Sequence, residues 1–253
     1  MKFPNIAPLA AAAMLSLASL STHAALSSYS QSFESLVATS GTALGGDGWK
    51  VFANVYNPDT TVAYSYGPFN APNGTPGFSS VATGQGGPAQ GSQQLVVYSD
   101  YNNADQANGL RIEANVFRQQ TIAAADAGTT WVFEFDAKHG DLLPNSTAFA
   151  FLKTLDPLSG FATTNFLQIE TTSISADWNH YSVSLPIIAA LNGQLIQYGF
   201  SAAATAYTAS GTFYDNVSFA PVTAVPEPEA FTMLLMGLGM IGFMVRRRAS
   251  PHA

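Results

Sequence analysis

Apolar residues in this chain return at every second position, segment after segment, and between residues 26 and 222 they never hold a 3.6-residue stripe. "LRIEANVF" sets Leu110, Ile112, Ala114 and Val116 on one face and Arg111, Glu113 and Asn115 on the other. "WVFEFDAK" opposes Trp131, Phe133, Phe135 and Ala137 to Val132, Glu134, Asp136 and Lys138, and "HYSVSLPI", "LIQYGFSA" and "TFYDNVSF" keep the same period. Side chains alternate across a strand, so a period of two buries one face of a sheet and wets the other. Gly, Pro, Asn and Asp clusters separate the segments and mark short strands joined by turns. "TIAAADAGT" has room for one turn of helix at most. This pattern predicts an all-β domain, a β-sandwich of jelly-roll type. One tract departs from it: residues 67–92 hold four prolines and seven glycines with little periodicity, and read as a single long surface excursion.

The two ends follow different rules. At the start, Lys2 supplies a positive n-region, residues 6–20 are apolar, and Thr22, His23 and Ala24 end in a small residue. That is the layout of a signal peptide, residues 1–24, cut by signal peptidase on export. Near the other end, residues 231–245 carry no charge. As a helix this run would span ~22 Å, against a hydrocarbon core of ~30 Å, so it is a marginal anchor. Arg246, Arg247 and Arg248 can snorkel at its end and keep that end cytoplasmic. Pro226 and Pro228 block helix propagation upstream and hold Glu227 in an extended segment. The expected order is signal peptide 1–24, β-sandwich 25–220, linker 221–230, and a single C-terminal hydrophobic anchor helix within the membrane and sorting segment 231–248.

Val225, Pro226, Glu227 and Pro228, followed by a short Gly- and Met-containing apolar run and the arginine cluster, resemble the PEP-CTERM sorting signal. The same module is also labelled ice-binding protein C-terminal domain. The resemblance implies recognition by exosortase, a membrane-embedded cysteine transpeptidase of Gram-negative bacteria, with cleavage near Pro-Glu-Pro. It also implies an inner-membrane-anchored intermediate and a final place at the cell surface or in an exopolysaccharide biofilm matrix. For ice binding itself there is no repeating Thr-x-Thr array.

Residues 25–230 hold Lys50, Arg111, Arg118, Lys138 and Lys153 as their only cations, five against all 16 acids, or −11. A phosphate backbone needs a basic footprint, so nucleic acid is excluded as a partner. The same charge argues against holding a polyanionic polysaccharide through bulk electrostatics. With no cysteine there is no disulfide, no thiolate metal site and no cysteine nucleophile. Stability must come from packing, with a metal as a further source.

Asp215 is the most informative single residue, because it falls in the apolar phase of Phe213, Val217 and Phe219. A carboxylate facing a core needs a partner or a cation, and Ca²⁺ is a suitable hard cation. The alternative is a strand end or turn, with backbone amides as donors. A second resemblance enters here. "SFESL", Gly48-Trp49, "AGTTWVFEFDAK", "WNHYSVSL" and "GTFYDNVSF" are similar to the carbohydrate-binding-module superfamily with a galactose-binding-like jelly roll. In those modules a first-strand glutamate and a last-strand aspartate commonly share a structural calcium, and the matching positions are Glu34 and Asp215.

Sugar faces stack on aromatic rings beside polar groups that bond hydroxyls. Tyr64, Tyr66 and Tyr101 are the leading candidates, with Phe69 and Tyr98 nearby, among Asn70, Gln94, Asp100 and Asn102. The alternative is that these tyrosines only cover loop backbone. Trp49, Trp131 and Trp178 sit in apolar phases and are expected in the core. Glu134 and Asp136 project from one face of a strand ~6.5–7 Å apart, a spacing open to a glycosidase but commoner as solvent-face charge. His139 and His180 stand alone, and no nucleophile elbow, His-Glu-x-x-His or phosphate loop is present. The expectation is a non-enzymatic, exported surface or matrix protein that interacts with extracellular polysaccharide. The alternatives are a structural or adhesion protein without a sugar site and, behind it, a glycoside-active hydrolase.

Overall fold

A computed structural model describes residues 25–74, 77–100, 104–205 and 211–222, together with Met236. The expected signal peptide, the Pro-Glu-Pro motif, the arginine cluster, the expected anchor helix and Tyr101 lie outside the described residues. Among the described residues no helix is long and apolar enough to cross a membrane.

The period-two segments are strands. In chain order they are β1 (Tyr29–Gln31), β2 (Lys50–Tyr56), β3 (Val62–Asn70), β4 (Ser79–Thr83), β5 (Gln93–Tyr98), β6 (Arg111–Thr121), β7 (Thr130–Lys138), β8 (Thr147–Asp156), β9 (Ala162–Glu170), β10 (Asn179–Pro186), β11 (Leu195–Ala204) and β12 (Gly211–Pro221). One helical turn, α1 (Ala43–Gly46), precedes β2, and the "TIAAADAGT" tract holds a 3₁₀ turn at Ala124–Asp126. The first sheet runs β10-β7-β12-β5-β4, and the second runs β3-β2-β6-β11-β8-β9. Counting β5 as the first of eight strands, the sheets order as first-eighth-third-sixth and second-seventh-fourth-fifth. That interlock is the jelly roll expected from the alternation. The β2–β3 hairpin and β4 extend the two sheets at their edges.

Aromatic rings fill the space between the sheets. Phe200 of β11 stacks on Tyr214 of β12 with centroids 3.7 Å apart, and Tyr198 stacks on Phe219 at 4.1 Å. Phe133 and Phe135 of β7 complete the cluster, and Trp49 and Trp131 are buried as expected. With sheets ~10 Å apart, such large side chains can meet from both sides and bury enough apolar area without disulfides.

Three expectations need correction. Residues 67–92 are not one excursion: they include the end of β3 and all of β4, with Ser79 and Val81 buried. "SSVAT" is too short for its alternation to stand out against the surrounding glycines and prolines. Asn73 ties the intervening chain down, donating to the Ala38 and Ser40 carbonyls and accepting from the Val81 amide at 2.7 Å. Trp178 is half-buried at the surface rather than in the core, and its Nε1 donates to the Gln85 carbonyl at 3.0 Å. Finally, β12 changes phase. A bulge between Asp215 and Ser218 turns Tyr214 and Val217 inward, leaving Phe213 on the outer side under Lys138.

Candidate functional site

Two places in the sandwich gather polar chemistry. The first is a cleft on the outer face of the second sheet. Inward residues of β2, β6 and β11 alternate with Phe52, Asn54, Glu113, Asn115, Phe117, Gln119, Gln197 and Gly199, which face away from the core. Phe117, Gly199 and Phe151 stand side by side on β6, β11 and β8. Gly199 contributes no side chain, so the Phe117 and Phe151 rings meet across it with centroids 6.5 Å apart. A Cβ at Gly199 would lie 2.2 Å from the Val116 carbonyl oxygen, which makes glycine obligatory at this close approach.

Above this floor opens a cleft of about 660 Å³, walled by Phe52, Pro68, Leu155, Phe161 and Leu195, with Asn54, Gln119, Gln197, Thr163 and Lys153 among its polar groups. Its volume lies in the range of small-molecule sites, roughly 300–1,000 Å³. The amides are pre-set: Gln197 Nε2 donates to Gln119 Oε1 at 2.7 Å, and Ser65 Oγ donates to Asn54 Oδ1 at 2.7 Å. Phe161 is 59% exposed and holds a left-handed φ of 62°, an unfavourable conformation for an aromatic residue that presents its ring at the rim. Lys153 Nζ lies 4.7 Å from the Phe151 centroid and 5.9 Å from that of Phe117. Burial pulls the Lys153 ammonium down to about 8, against the upward pull of Glu113.

The second place is an acid cluster on the outer side of the first sheet. Along β12 the neighbour changes from β5, which pairs with Gly211–Tyr214, to β1, which pairs with Val217–Phe219. Asp215 and Asn216 fill the gap. Asp215 stands directly opposite Asp136 of β7, and Asn216 has φ 46°. Asp215 is fully inaccessible, yet it lies outside the inter-sheet core; the chain that joins β4 to β5 packs beside it, the Ala89 carbonyl accepting from Asn216 Nδ2 at 3.0 Å. Its Oδ1 accepts from the Asn216 amide at 2.6 Å, while its Oδ2 has no donor. Burial, reinforced by the charges of Glu34 and Asp136, pushes its carboxyl up to about 7.

The neighbours are better satisfied. Glu34, which follows β1 and the left-handed Phe33, accepts from the Gln93 amide at 2.6 Å, the Ser92 amide at 2.7 Å and Ser92 Oγ at 2.8 Å. Donation from the Gln93 amide, foremost, and from Ser92 holds its carboxyl below the usual range. Gly91 permits this approach, since a Cβ there would fall 2.5 Å from Glu34 Oε1. Asp136 accepts from Gln90 Nε2 and Asn216 Nδ2, each at 2.8 Å. Against the upward push of burial, Asn216, Gln90 and His180 hold its carboxyl below the usual range. The buried Gln90 Oε1, like Asp215 Oδ2, has no donor.

Unpartnered buried oxygens beside facing carboxylates are the donor type that a hard cation takes. Among the described residues no three His, Asp or Glu side chains converge as a metal-holding group, so amide and backbone oxygens would have to complete any shell. His180, expected to stand alone, instead bridges acids: its Nδ1 lies 3.0 Å from Asp136 Oδ1 and its Nε2 3.9 Å from Glu134 Oε1.

Of the sequence-predicted sugar residues, Tyr64 and Tyr66 sit elsewhere. Tyr64 and Tyr66 lie on edge strand β3, in register with the inward-facing Val55 and Ala53. Their hydroxyls donate to Asp105 and Asp100, and their rings lie 5.8 Å apart at the rim of the sandwich. Glu34 lies close enough to Asp215 for its charge to raise the Asp215 carboxyl. The cleft residues Phe52, Phe117, Lys153 and Phe161 escaped sequence reasoning. The available signal was an aromatic in the polar phase of a strand, as with Phe117 in "LRIEANVF".

Residues 224–248 match the family model described as the PEP-CTERM protein-sorting motif. No curated protein matches the chain. Among solved structures, the chain is similar to the enzymatically active domain of bacteriophage CBA120 tailspike protein 4, at 13% identity and a TM-score of 0.43, over 72% of this chain and 20% of that one. It therefore spans about a fifth of the tailspike chain. It is also similar to the C-terminal family 22 carbohydrate-binding module of Clostridium thermocellum Xyn10B, at 15% identity and a TM-score of 0.40, over 79% of this chain and 95% of that one. A xylan-binding domain of family 22 aligns at 14% identity and a TM-score of 0.37, over 81% and 99%. All three TM-scores are below 0.5, and the likeness is a distant one.

Proposed function

We propose that this chain is an exported protein of a Gram-negative bacterium whose β-sandwich binds extracellular polysaccharide at the cell surface or in the matrix. Signal peptidase would remove residues 1–24, and exosortase would recognise the motif at 224–248 in an inner-membrane-anchored intermediate. The observation that carries the binding reading is the cleft of the second sheet, where aromatic and apolar walls alternate with amides already held in place. Pyranose C–H faces pack on such walls, and pre-oriented amides bond hydroxyls at low entropic cost. In this reading the protein is a binder, Tyr64 and Tyr66 form a secondary contact along the β3 edge, and Tyr101 is a further candidate from the sequence alone.

The test is calorimetric titration of the full chain, kept in mild detergent, with a panel of soluble oligosaccharides. Phe52→Ala and Phe161→Ala should each weaken binding by about tenfold or more while Tyr64→Ala has the smaller effect, since stacked aromatic contacts contribute on the order of 1–2 kcal/mol. Binding that survives both cleft variants would move the site elsewhere. Failure to bind any glycan would leave a matrix or adhesion protein without a sugar site.

The acid cluster supports a second proposal, a structural Ca²⁺. Asp215 Oδ2, Glu34 and Gln90 Oε1 would hold it. Bound there, the cation would neutralise facing carboxylates and join the first strand to the last.

A further inference from the structure

Taking the cleft of the second sheet as the glycan site, we propose that Lys153 makes it select sugars bearing a carboxylate, such as hexuronic acid units, over neutral ones. The cations of this domain differ in what satisfies them. Arg118 has Asp47 at 3.7 Å and lies 3.7 Å from the Tyr29 centroid, and Arg111 Nη2 donates to Thr147 Oγ1 at 3.0 Å. The Lys153 ammonium, half-buried over Phe151 and Phe117, meets no carboxylate within ion-pair distance and no hydrogen-bond acceptor among the described residues. Ring faces stabilise a cation's charge but leave its three N–H donors unused. A ligand carboxylate entering the cleft would take those donors in charge-assisted hydrogen bonds, which are about twice as strong as neutral ones.

The charge around the cleft agrees. The outer face of the second sheet carries Lys50, Arg111 and Lys153 against Glu113 and Glu170, a positive balance of three to two. The region from 25 to 230 as a whole holds five cations and 16 acids. The bulk charge therefore opposes long-range attraction of a polyanion, but it is screened beyond ~8 Å at physiological salt. Inside the cleft the nearest charge is a desolvated ammonium, and burial has already lowered its affinity for its own proton to about 8. Phe52 and Phe161 remain open to the sugar's C–H faces, so the carboxylate and the ring find complementary surfaces in one cavity.

The experiment pairs acidic and neutral forms of the same glycan. Short oligogalacturonate, oligoglucuronate and oligomannuronate are titrated calorimetrically into the full chain, each beside its counterpart with carboxyls reduced to alcohols. At least one acidic member should bind about ten- to a hundredfold more tightly than its reduced partner, the range expected of a hydrogen bond to a charged group. Lys153→Met should erase that ratio without removing residual binding of the reduced form, and Lys153→Arg should restore part of it. Equal binding of acidic and reduced forms by the unaltered protein overturns the proposal while the cleft stands as a neutral-glycan site, and this comparison needs no variant to fold. A ratio unchanged in Lys153→Met also overturns it. Binding of neither form overturns both the proposal and the cleft reading beneath it.

Discussion

Replacing Lys153 by methionine should stabilise the unliganded protein. Methionine keeps the length of the side chain and removes its charge. Lowering the lysine from 10.5 to about 8 means that the folded state holds its proton less well than the unfolded chain. At 1.36 kcal/mol per pKa unit this penalty comes to ~3 kcal/mol at neutral pH. The variant also loses the ring contacts with Phe151 at 4.7 Å and Phe117 at 5.9 Å, worth roughly 0.5–1 kcal/mol each. The net gain is ~1–2 kcal/mol, or about 2–8 °C in melting temperature for a domain of this size.

The sign of the pH dependence follows from linkage. Between about 8 and 10.5 the unfolded chain carries this proton and the folded one does not, so the wild type gains stability as pH rises through that window. Below about 8 both states are protonated and the penalty is complete. The advantage of Lys153→Met should therefore be full at pH ~7 and should shrink toward pH ~10, while groups common to both proteins cancel in the difference. Denaturant unfolding of the two full-length proteins in mild detergent measures it. A variant no more stable than wild type at pH ~7, or an advantage independent of pH, would refute a desolvated lysine. The case for an anionic ligand would then lose its physical basis.

Two further outcomes test the rest of the molecule. Ca²⁺ at a hundredfold excess over its Kd should stabilise the full chain by ~2.7 kcal/mol, a melting shift of about 5–10 °C that chelator reverses and Asp215→Asn abolishes; identical melting in chelator and millimolar Ca²⁺ would remove the cation from the acid cluster. Mass spectrometry of the extracellular protein should find residues 1–24 and the chain from about 229 onward missing, and alanines at Pro226, Glu227 and Pro228 should leave precursor in the membrane. Recovery of Arg248 on the extracellular form would exclude processing at this signal.

Much of the domain was legible because it is written in local order. A period of two depends on neighbouring residues alone, and it located β6, β7, β10, β11 and β12 and the jelly-roll class before any pairing was known. The C-terminal sorting motif was legible for the same reason, its three parts being contiguous. Asp215 was recognisable as anomalous because a carboxylate interrupts an apolar strand. Its surroundings were not, since the bulge and the left-handed Asn216 move it from the core to the outer side, opposite Asp136. A bulge shifts the phase by one residue, and nothing in "TFYDNVSF" announces it.

The cleft belongs wholly to the tertiary structure. Phe117, Gly199 and Phe151 are distant in the chain and meet through the register of three strands, where a missing side chain on the middle one lets the outer rings approach. Read in "AFLKTL", Lys153 is an ordinary solvent-face lysine. The two rings beneath it and the absence of any acceptor among the described residues are properties of strand pairing, not of its neighbours in sequence. Alternation decides which face a residue takes and acts over two positions. The surroundings of a charge are set by groups brought together from across the sheet, because desolvation and Coulomb forces act through space and not along the chain.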